Sequence, residues 1–378
     1  MKAANLYKPK DIKYEEVNLP EIGERDVLVE VKACGICGSD IPRVMETGTY
    51  HFPTIPGHEF SGVISKIGKD IKDISVGTRV TVNPCIPCRK CVYCKSRNYF
   101  QCENYDYLGS RSNGGFAEYV KVPADNVVKL PDTVDFEEGS FIEPLAVALH
   151  ILNRGLSLFF CKRAPTGAGT HEVGAGTVPL KIAIFGMGPI GNLIAQVASA
   201  NGAGKIFCVD VIGEKLKIAE EVGLKETINA KETDPVKKVL DSTENLGVDI
   251  AVEAAGSEIA LMQCIKVVKK SGKVIIVGRS EKNINLPWEV FSLILRKEIT
   301  IYGSYGFDFN EPPDYPWDEC ISLISSGKVK IKPLITHRFK LSEAPEVFKM
   351  LYERKVFFNK VLLIPEKGDG SIFCSRRF

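Results

Sequence analysis

Residues 181–198 read KIAIFGMGPIGNLIAQVA. The run KIAIF has the length and apolar character of a buried strand. Gly186, Gly188 and Gly191 follow in G-x-G-x-x-G spacing, and the residues after them form an apolar, helix-spaced run that stops at Gly202. The spacing alone is weak, but an apolar strand before it and an apolar helix after it are what its mechanism needs. Gly186 allows a tight turn, Gly188 lets the backbone approach a pyrophosphate, and Gly191 lets the helix pack on the strand. The helix N-terminus, beginning with Pro189 and Ile190, then offers free N–H groups and the positive end of its dipole. A Gly-rich turn in a fold without a nucleotide is the plainer reading, and the flanking elements weigh against it. Asp210 ends the next apolar run, KIFCVD. It lies about 20 residues further on, where an acid accepts both ribose hydroxyls and repels a 2′-phosphate, which favours NAD over NADP. Lys215 beyond it, and Val277 at the end of the later strand GKVIIVG, complete the candidate nucleotide contacts.

Outward from this turn the texture is consistent. GEKLKIAEEVG reads as a helix, and VDIAVEAAG and GKVIIVG read as strands, with a further strand at EITIYGSYG. Strands alternating with helices imply a parallel sheet covered on both faces. The first 130 residues differ. VLVEVKAC, FSGVISKIG, TRVTVN and FAEYVKVP are short, alternating or β-branched runs cut by Gly and Pro, and they predict an irregular, mostly β domain. A helical pattern, EEGSFIEPLAVALHILNRG, separates the two. The expected class is α/β, a doubly wound parallel sheet plus a β-rich domain. The expected division is 1–150 for the β-rich domain, 151–303 for the dinucleotide domain, and 304–366 for a return to the first. Residues 367–378 read as a disordered tail. Residues 159–180, rich in Gly, Thr and Ala, read as a surface insertion; their GAGTHEVGAG imitates a phosphate loop without a strand before it or a helix after it.

The 378 residues suit two domains, with 25% charged and 44% apolar residues and a net charge of +2. That balance gives no reason to expect nucleic acid or an anionic membrane as partner. There is no apolar run of about 18 residues to span a bilayer. The polar start, MKAANLYKPKDIKYEEV, lacks a signal-peptide core, so a cytoplasmic location is expected. Twelve cysteines could suggest a secreted disulfide framework. Five of them crowd into residues 83–102, NPCIPCRKCVYCKSRNYFQC, and neighbours in such a ladder cannot all pair with distant partners. Metal binding in a reducing compartment fits better. A tetrahedral metal takes four of the five, Cys85, Cys88, Cys91, Cys94 and Cys102.

A second constellation lies elsewhere. ACGICGSD supplies Cys37, PGHEFSG supplies His58 and Glu59, and FIEPLAVALH supplies Glu143. Zinc accepts S, N and O ligands, and a catalytic zinc keeps one position open, so ligands from separated segments suit it. Singly, Cys37 or His58 would be read as an ordinary buried residue; the dinucleotide turn elsewhere in the chain changes that.

The motifs GICGSD, PGHEFSG, the cysteine ladder, GGFAEY, FIEP and GMGPIG, in this order, resemble those of zinc-dependent medium-chain dehydrogenases over residues 1–158 and 181–365. Within that family CGSDIPR, YDYLGSRSNGGFAEY and LRKEITIYGS look closest to the polyol branch. The resemblance implies a GroES-like catalytic domain around a Rossmann domain, with the active site in the cleft, and a homodimer or homotetramer. It implies that Cys37, His58 and Glu143 ligate a catalytic zinc, with Glu59 as an alternate ligand. The family's C-x-x-C-x-x-C-x7-C spacing assigns Cys88, Cys91, Cys94 and Cys102 to a structural zinc and leaves Cys85 spare. Many members carry a relay His where Pro42 stands, so the proton would leave through Ser39, Glu59 or water. The implied reaction is hydride transfer from a secondary hydroxyl of a small polyol to NAD. Galactitol 1-phosphate, giving tagatose 6-phosphate, is the first expectation, with Arg43 and Arg111 as phosphate partners. Free sorbitol or xylitol comes next, then threonine or butanediol. A nucleotide sensor without catalysis is the reading from another class, and the intact Cys37, His58 and Glu143 set argues against it.

Overall fold

The structure, a computed structural model, describes residues 1–160, 179–280, 282–307 and 316–366, with side chains described outside 156–160. The expected insertion at 159–180 and the tail at 367–378 lie almost wholly outside the described residues. The chain divides into two compact units. One holds Met1–Glu143 and the described residues of 308–325 and 334–378; the other holds the described residues of 144–307 together with Ser326–Pro333.

In the first unit the strands are β1 (Lys2–Lys8), β2 (Asp11–Glu16), β3 (Asp26–Ile36), β4 (Glu59–Ile67), β5 (Arg79–Val82), β6 (Cys85–Ile86), β7 (Asp106–Tyr107), β8 (Tyr119–Pro123) and β9 (Val127–Lys129). Its helices here are short: α1 (Asp40–Pro42), α2 (Val92–Lys95) and α3 (Phe136–Gly139). Asp135 caps α3 in a reciprocal box with Glu138, which satisfies two otherwise orphaned N–H groups. The helix α4 (Ile142–Phe160) follows.

The second unit is the strand–helix alternation that the sequence predicts. It runs β10 (Lys181–Phe185), α5 (Pro189–Ala200), β11 (Lys205–Asp210), α6 (Gly213–Glu221), β12 (Glu226–Asn229), α7 (Pro235–Asp241), β13 (Val248–Glu253), α8 (Glu258–Val267), β14 (Val268–Ile276), α9 (Trp288–Arg296) and β15 (Thr300–Gly303). The six strands are parallel, in the order β12-β11-β10-β13-β14-β15. The order reverses at β10, so the turn after it sits at the topological switch point where open α/β sheets bind ligands. All six residues of β13 are buried, as expected of a strand covered on both faces. The core of this unit is built on Phe185, Phe207, Val209, Val252 and Ile265.

The remaining elements, α10 (Pro316–Ser325), β16 (Ile335–Lys340), α11 (Ala344–Glu353) and β17 (Lys360–Ile364), belong to the first unit. β17 pairs antiparallel with β3 and completes a seven-stranded sheet, β16-β17-β3-β4-β5-β9, with β8 also on β3. Phe60, Phe116, Phe348 and Leu363 lie at the centre of its core. The architecture is thus an α/β fold with a Rossmann-like parallel sheet and a β-rich unit. Among the described residues no helix is long and apolar enough to cross a membrane.

The Gly-rich turn has the steric logic its spacing implies. Gly186 takes φ +105°, and a Cβ there would lie 2.7 Å from the carbonyl carbon of Ala254. A Cβ on Gly191 would overlap the carbonyl oxygen of Gly186, whereas Gly188 faces open space. Gly191→Ala should therefore push α5 off the turn and cost about 1–3 kcal/mol of stability. A urea melt with a wild-type midpoint for this variant would show that the close approach is dispensable.

Candidate active site

The nucleotide-side residues converge at the end of β10. Gly186 N donates to Val209 O at 2.8 Å, tying the turn to β11. Pro189 opens α5 at a position that needs no N–H donor. Asp210 is buried and already engaged. Its Oδ2 accepts from Met187 N at 2.7 Å, its Oδ1 accepts from Val211 N and Ile212 N at 2.8 and 2.9 Å, and Lys215 Nζ stands 3.6 Å away. A carboxylate has about four lone-pair sites, so Asp210 keeps room for a ribose hydroxyl while its charge is fixed beside the turn. Val277 N donates to Glu253 O at 2.8 Å at the end of β14.

The cysteine ladder resolves into four and one. The sulfurs of Cys88, Cys91, Cys94 and Cys102 all lie within 4.8 Å of one another. Cys88 Sγ and Cys94 Sγ are 4.0 Å apart, and Cys91 Sγ and Cys102 Sγ 3.9 Å. Four sulfurs bound tetrahedrally at 2.3 Å would stand about 3.8 Å apart, so the set fits a closed zinc site. Backbone N–H groups favour the thiolate form of Cys88 and Cys91, whereas burial pushes the Cys94 thiol up to about 12 and the Cys102 thiol up as well. Cys88 N points to Cys102 Sγ at 3.3 Å and Lys90 N to Cys88 Sγ at 3.4 Å. The N–H groups of Cys94 and Glu103 bring the Cys91 pKa down to about 6. Cys85 stays outside this group. It lies buried in β6, opposite Tyr107, with its main-chain oxygen held by Asn126 Nδ2 at 2.7 Å, and burial pushes its thiol up to about 12.

The second constellation forms at the end of β3 and the start of β4. Donor atoms of Cys37, His58 and Glu59 lie within 4.8 Å of one another. Glu143 falls outside that group, although burial and the neighbouring Glu59 charge push its pKa up to about 7 against the pull of His58. Its Oε1 accepts from Tyr107 OH at 3.0 Å. Tyr107 also sets its ring edge-on to His58, with centroids 5.6 Å apart. His58 Nδ1 lies 3.5 Å from the fully buried Asp40 Oδ1, close enough for electrostatic pairing but without a hydrogen bond. Burial disfavours the imidazolium, but Asp40 and Cys37 outweigh it and raise the His58 pKa well above its usual value. Asp40 also accepts from Cys37 N at 3.0 Å and from Arg43 Nη1 at 3.1 Å.

Glu59 pairs with Lys360, both almost fully buried. Gly35 makes room for that carboxylate, since a Cβ there would overlap Glu59 Oε2. Among the described residues, Arg43 sits on the buried Asp40 and Lys360 on the buried Glu59, while His58 stands beside Asp40. The thiol, imidazole and carboxylate donors of Cys37, His58 and Glu59 are types that zinc accepts, so a divalent ion fits this set in ligand type and spacing.

Of the other expected residues, Ser39 is half-buried at the start of α1 with no side-chain capping bond. Arg43 is committed to Asp40. Arg111 lies between two rings, 4.0 Å from the Tyr50 centroid and 4.5 Å from that of Tyr105, and its buried Nε makes no hydrogen bond. Sequence reasoning missed Asp40, Tyr107 and Lys360. Asp40 stands inside the quoted GICGSD and could have been found there, but Lys360 is 301 residues from its partner and carries no local signal.

Two substitutions separate the cysteines. Cys88→Ser should lower zinc content by about one ion per chain and reduce thermal stability, while Cys85→Ser should keep both ions; metal analysis of the purified variants checks this. Loss of an ion from Cys85→Ser would place that thiol in the ligand set.

Comparison with known proteins agrees with this arrangement. Residues 23–132 match the alcohol dehydrogenase GroES-like domain, and residues 189–326 match the zinc-binding dehydrogenase family. Galactitol 1-phosphate 5-dehydrogenase of Escherichia coli K12 is 32% identical, covering 94% of this chain and 97% of the other. Sorbitol dehydrogenase of Bacillus subtilis 168 is also 32% identical, covering 97% and 98%. The crystal structure of galactitol-1-phosphate dehydrogenase from Escherichia coli superposes with a TM-score of 0.85 at 31% identity, covering 97% of this chain and 100% of that one. With its GroES-like domain, Rossmann-like sheet and two metal-ready clusters, the chain belongs to the zinc-type medium-chain dehydrogenase/reductase family.

Proposed function

We propose that this NAD-dependent zinc dehydrogenase oxidises a secondary hydroxyl of a phosphorylated polyol, with galactitol 1-phosphate, giving tagatose 6-phosphate, as the leading substrate. The observation that carries the phosphate is Arg111. Its guanidinium is stacked between Tyr50 and Tyr105, and no ion pair to a carboxylate forms among the described residues. Tyr105 in turn meets Tyr107 edge-on, with centroids 6.3 Å apart, and Tyr107 touches both Glu143 and His58. A planar cation held flat between two rings is preorganised for bidentate contact with a phosphate. Arg43 is a weaker candidate, because Asp40 already holds it.

When bound, zinc supplies Lewis acidity toward the substrate hydroxyl and NAD supplies the hydride acceptor. Cys37 and His58, with Glu143 or Glu59, would hold the ion, and Asp40 lies beside the His58 ring. Lys360 neutralises Glu59 and makes it a poor proton carrier, so Ser39 and water are the better exit for the hydroxyl proton. Gly186, Gly188 and the N-terminus of α5 would receive the pyrophosphate, and Asp210 the ribose. Cys88, Cys91, Cys94 and Cys102 would hold a second, structural zinc in a reducing, cytoplasmic setting.

A homo-oligomer is part of this reading. β15 is the open edge of the six-stranded sheet, and Trp288, Phe291 and Leu295 of α9 are exposed. An open strand edge beside an apolar face favours pairing with another chain.

Initial rates over free and phosphorylated polyols test the substrate. Galactitol 1-phosphate should exceed free sorbitol in kcat/KM, and Arg111→Met should raise KM for the phosphorylated substrate about tenfold or more, the scale of a lost charged hydrogen bond, while leaving free polyols unchanged. Sorbitol as the better substrate would sink the phosphate reading. Zinc affinity should also climb with pH, because His58 and Glu143 must both lose protons to bind metal, and Glu143 does so at about 7. Chelator competition between about pH 6 and 8 measures this; a flat profile would speak against both as ligands.

A further inference from the structure

Glu253 is the last residue of β13 and is buried at 2% exposure. Its Oε1 accepts from Ala255 N at 2.9 Å and from Ser257 N at 3.2 Å. Its main-chain oxygen takes Val277 N at 2.8 Å and Gly278 N at 2.9 Å. One residue therefore pins both the loop after β13 and the loop after β14. Space around it is tight: a Cβ on Gly278 would lie 2.5 Å from Glu253 Oε2. On the other side, the turn at Gly186 packs against the Ala254–Ala255 peptide, so a Cβ on Gly186 would lie 2.7 Å from Ala255 N. Ala255 N is the same group that donates to Glu253. Three strand ends, those of β10, β13 and β14, thus interlock around one residue: its carboxylate bonds the loop after β13 and packs against Gly278, and its main-chain oxygen bonds the loop after β14.

Those ends are the carboxyl edge of the sheet, where an open α/β sheet binds its ligand. No lysine or arginine pairs with Glu253 among the described residues. Backbone N–H groups hold its charge instead, together with the N-terminus of α8, which follows Ser257. A buried carboxylate held only by main-chain donors makes the loops rigid, because each donor would otherwise be orphaned. It also fills the α8 N-terminus with the protein's own anion, whereas no side chain caps the N-terminus of α5.

We propose that Glu253 is a positioning residue for the dinucleotide: it holds the loops after β13 and β14 in the shape against which the Gly186 turn and the bound cofactor rest. The proposal depends on the NAD-dependent reading above. It is tested on the zinc-replete full-length protein with Glu253→Gln, which keeps the shape but sets an amide N–H₂ against backbone donors. NAD affinity by calorimetry and KM for NAD should both weaken about tenfold or more, as expected for losing a hydrogen bond to a charged group. The kcat at saturating NAD, KM for the polyol and zinc content should stay at wild-type values. A variant that melts earlier yet binds NAD as tightly as wild type would reduce Glu253 to a cap on α8 and overturn the proposal. Should the variant not fold, hydrogen exchange on the wild type decides. NAD should slow exchange at Ala255, Ser257 and Gly278, and unchanged rates there would overturn the proposal. A wild type that binds no NAD at all would bring down the functional reading itself, a result separate from either of these.

Discussion

Gly191 has no room for a side chain, because the carbonyl of Gly186 occupies the place where its Cβ would stand. That close approach brings the first turn of α5 down onto the end of β10, and much of the second unit follows from it. With the turn fixed, Met187 N reaches Asp210 on β11, and Gly186 rests on the peptide after β13. Helix N-terminus, Asp210 and the loops of the sheet's carboxyl edge therefore share one frame. The parallel order of strands supplies the rest, since the reversal at β10 leaves the turn uncovered by a crossing helix.

The first unit depends on charge rather than on close approach. The buried carboxyls of Asp40, Glu59 and Glu143 are brought together by the end of β3, the start of β4 and the start of α4, and burial makes carboxylate charge costly there. Lys360, carried in by β17 beside β3, offsets one of them, and Arg43 another. The structural cluster is simpler. Its four sulfurs come from one short stretch, local backbone N–H groups point at Cys88 and Cys102, and the spacing fits a closed site.

Local signals were legible wherever the chemistry is local. The strand–turn–helix at 181–198 and the acid at Asp210 needed only spacing, because a few consecutive residues build the whole device. The spacing of the cysteines showed a metal site, but it left open which four bind until the family pattern, and then the sulfur distances, separated Cys85 from the others. The return of the chain to the β-rich unit was readable as a change of texture. The particular strand it supplies was not, since β17 looks like any apolar run until it pairs with β3.

The sequence by itself determined the class of fold, the dinucleotide turn and the residue types of both metal clusters, because periodicity, glycine spacing and ligand chemistry are written in neighbouring residues. Only the tertiary structure decided which side chains surround them. It placed Lys360 on Glu59 across 301 residues, Tyr107 on Glu143 across 36, Arg43 on Asp40 rather than free for a ligand, and Glu253 under three strand ends. These choices depend on which strands pair and which charges are buried together, and pairing and burial are properties of the packed chain.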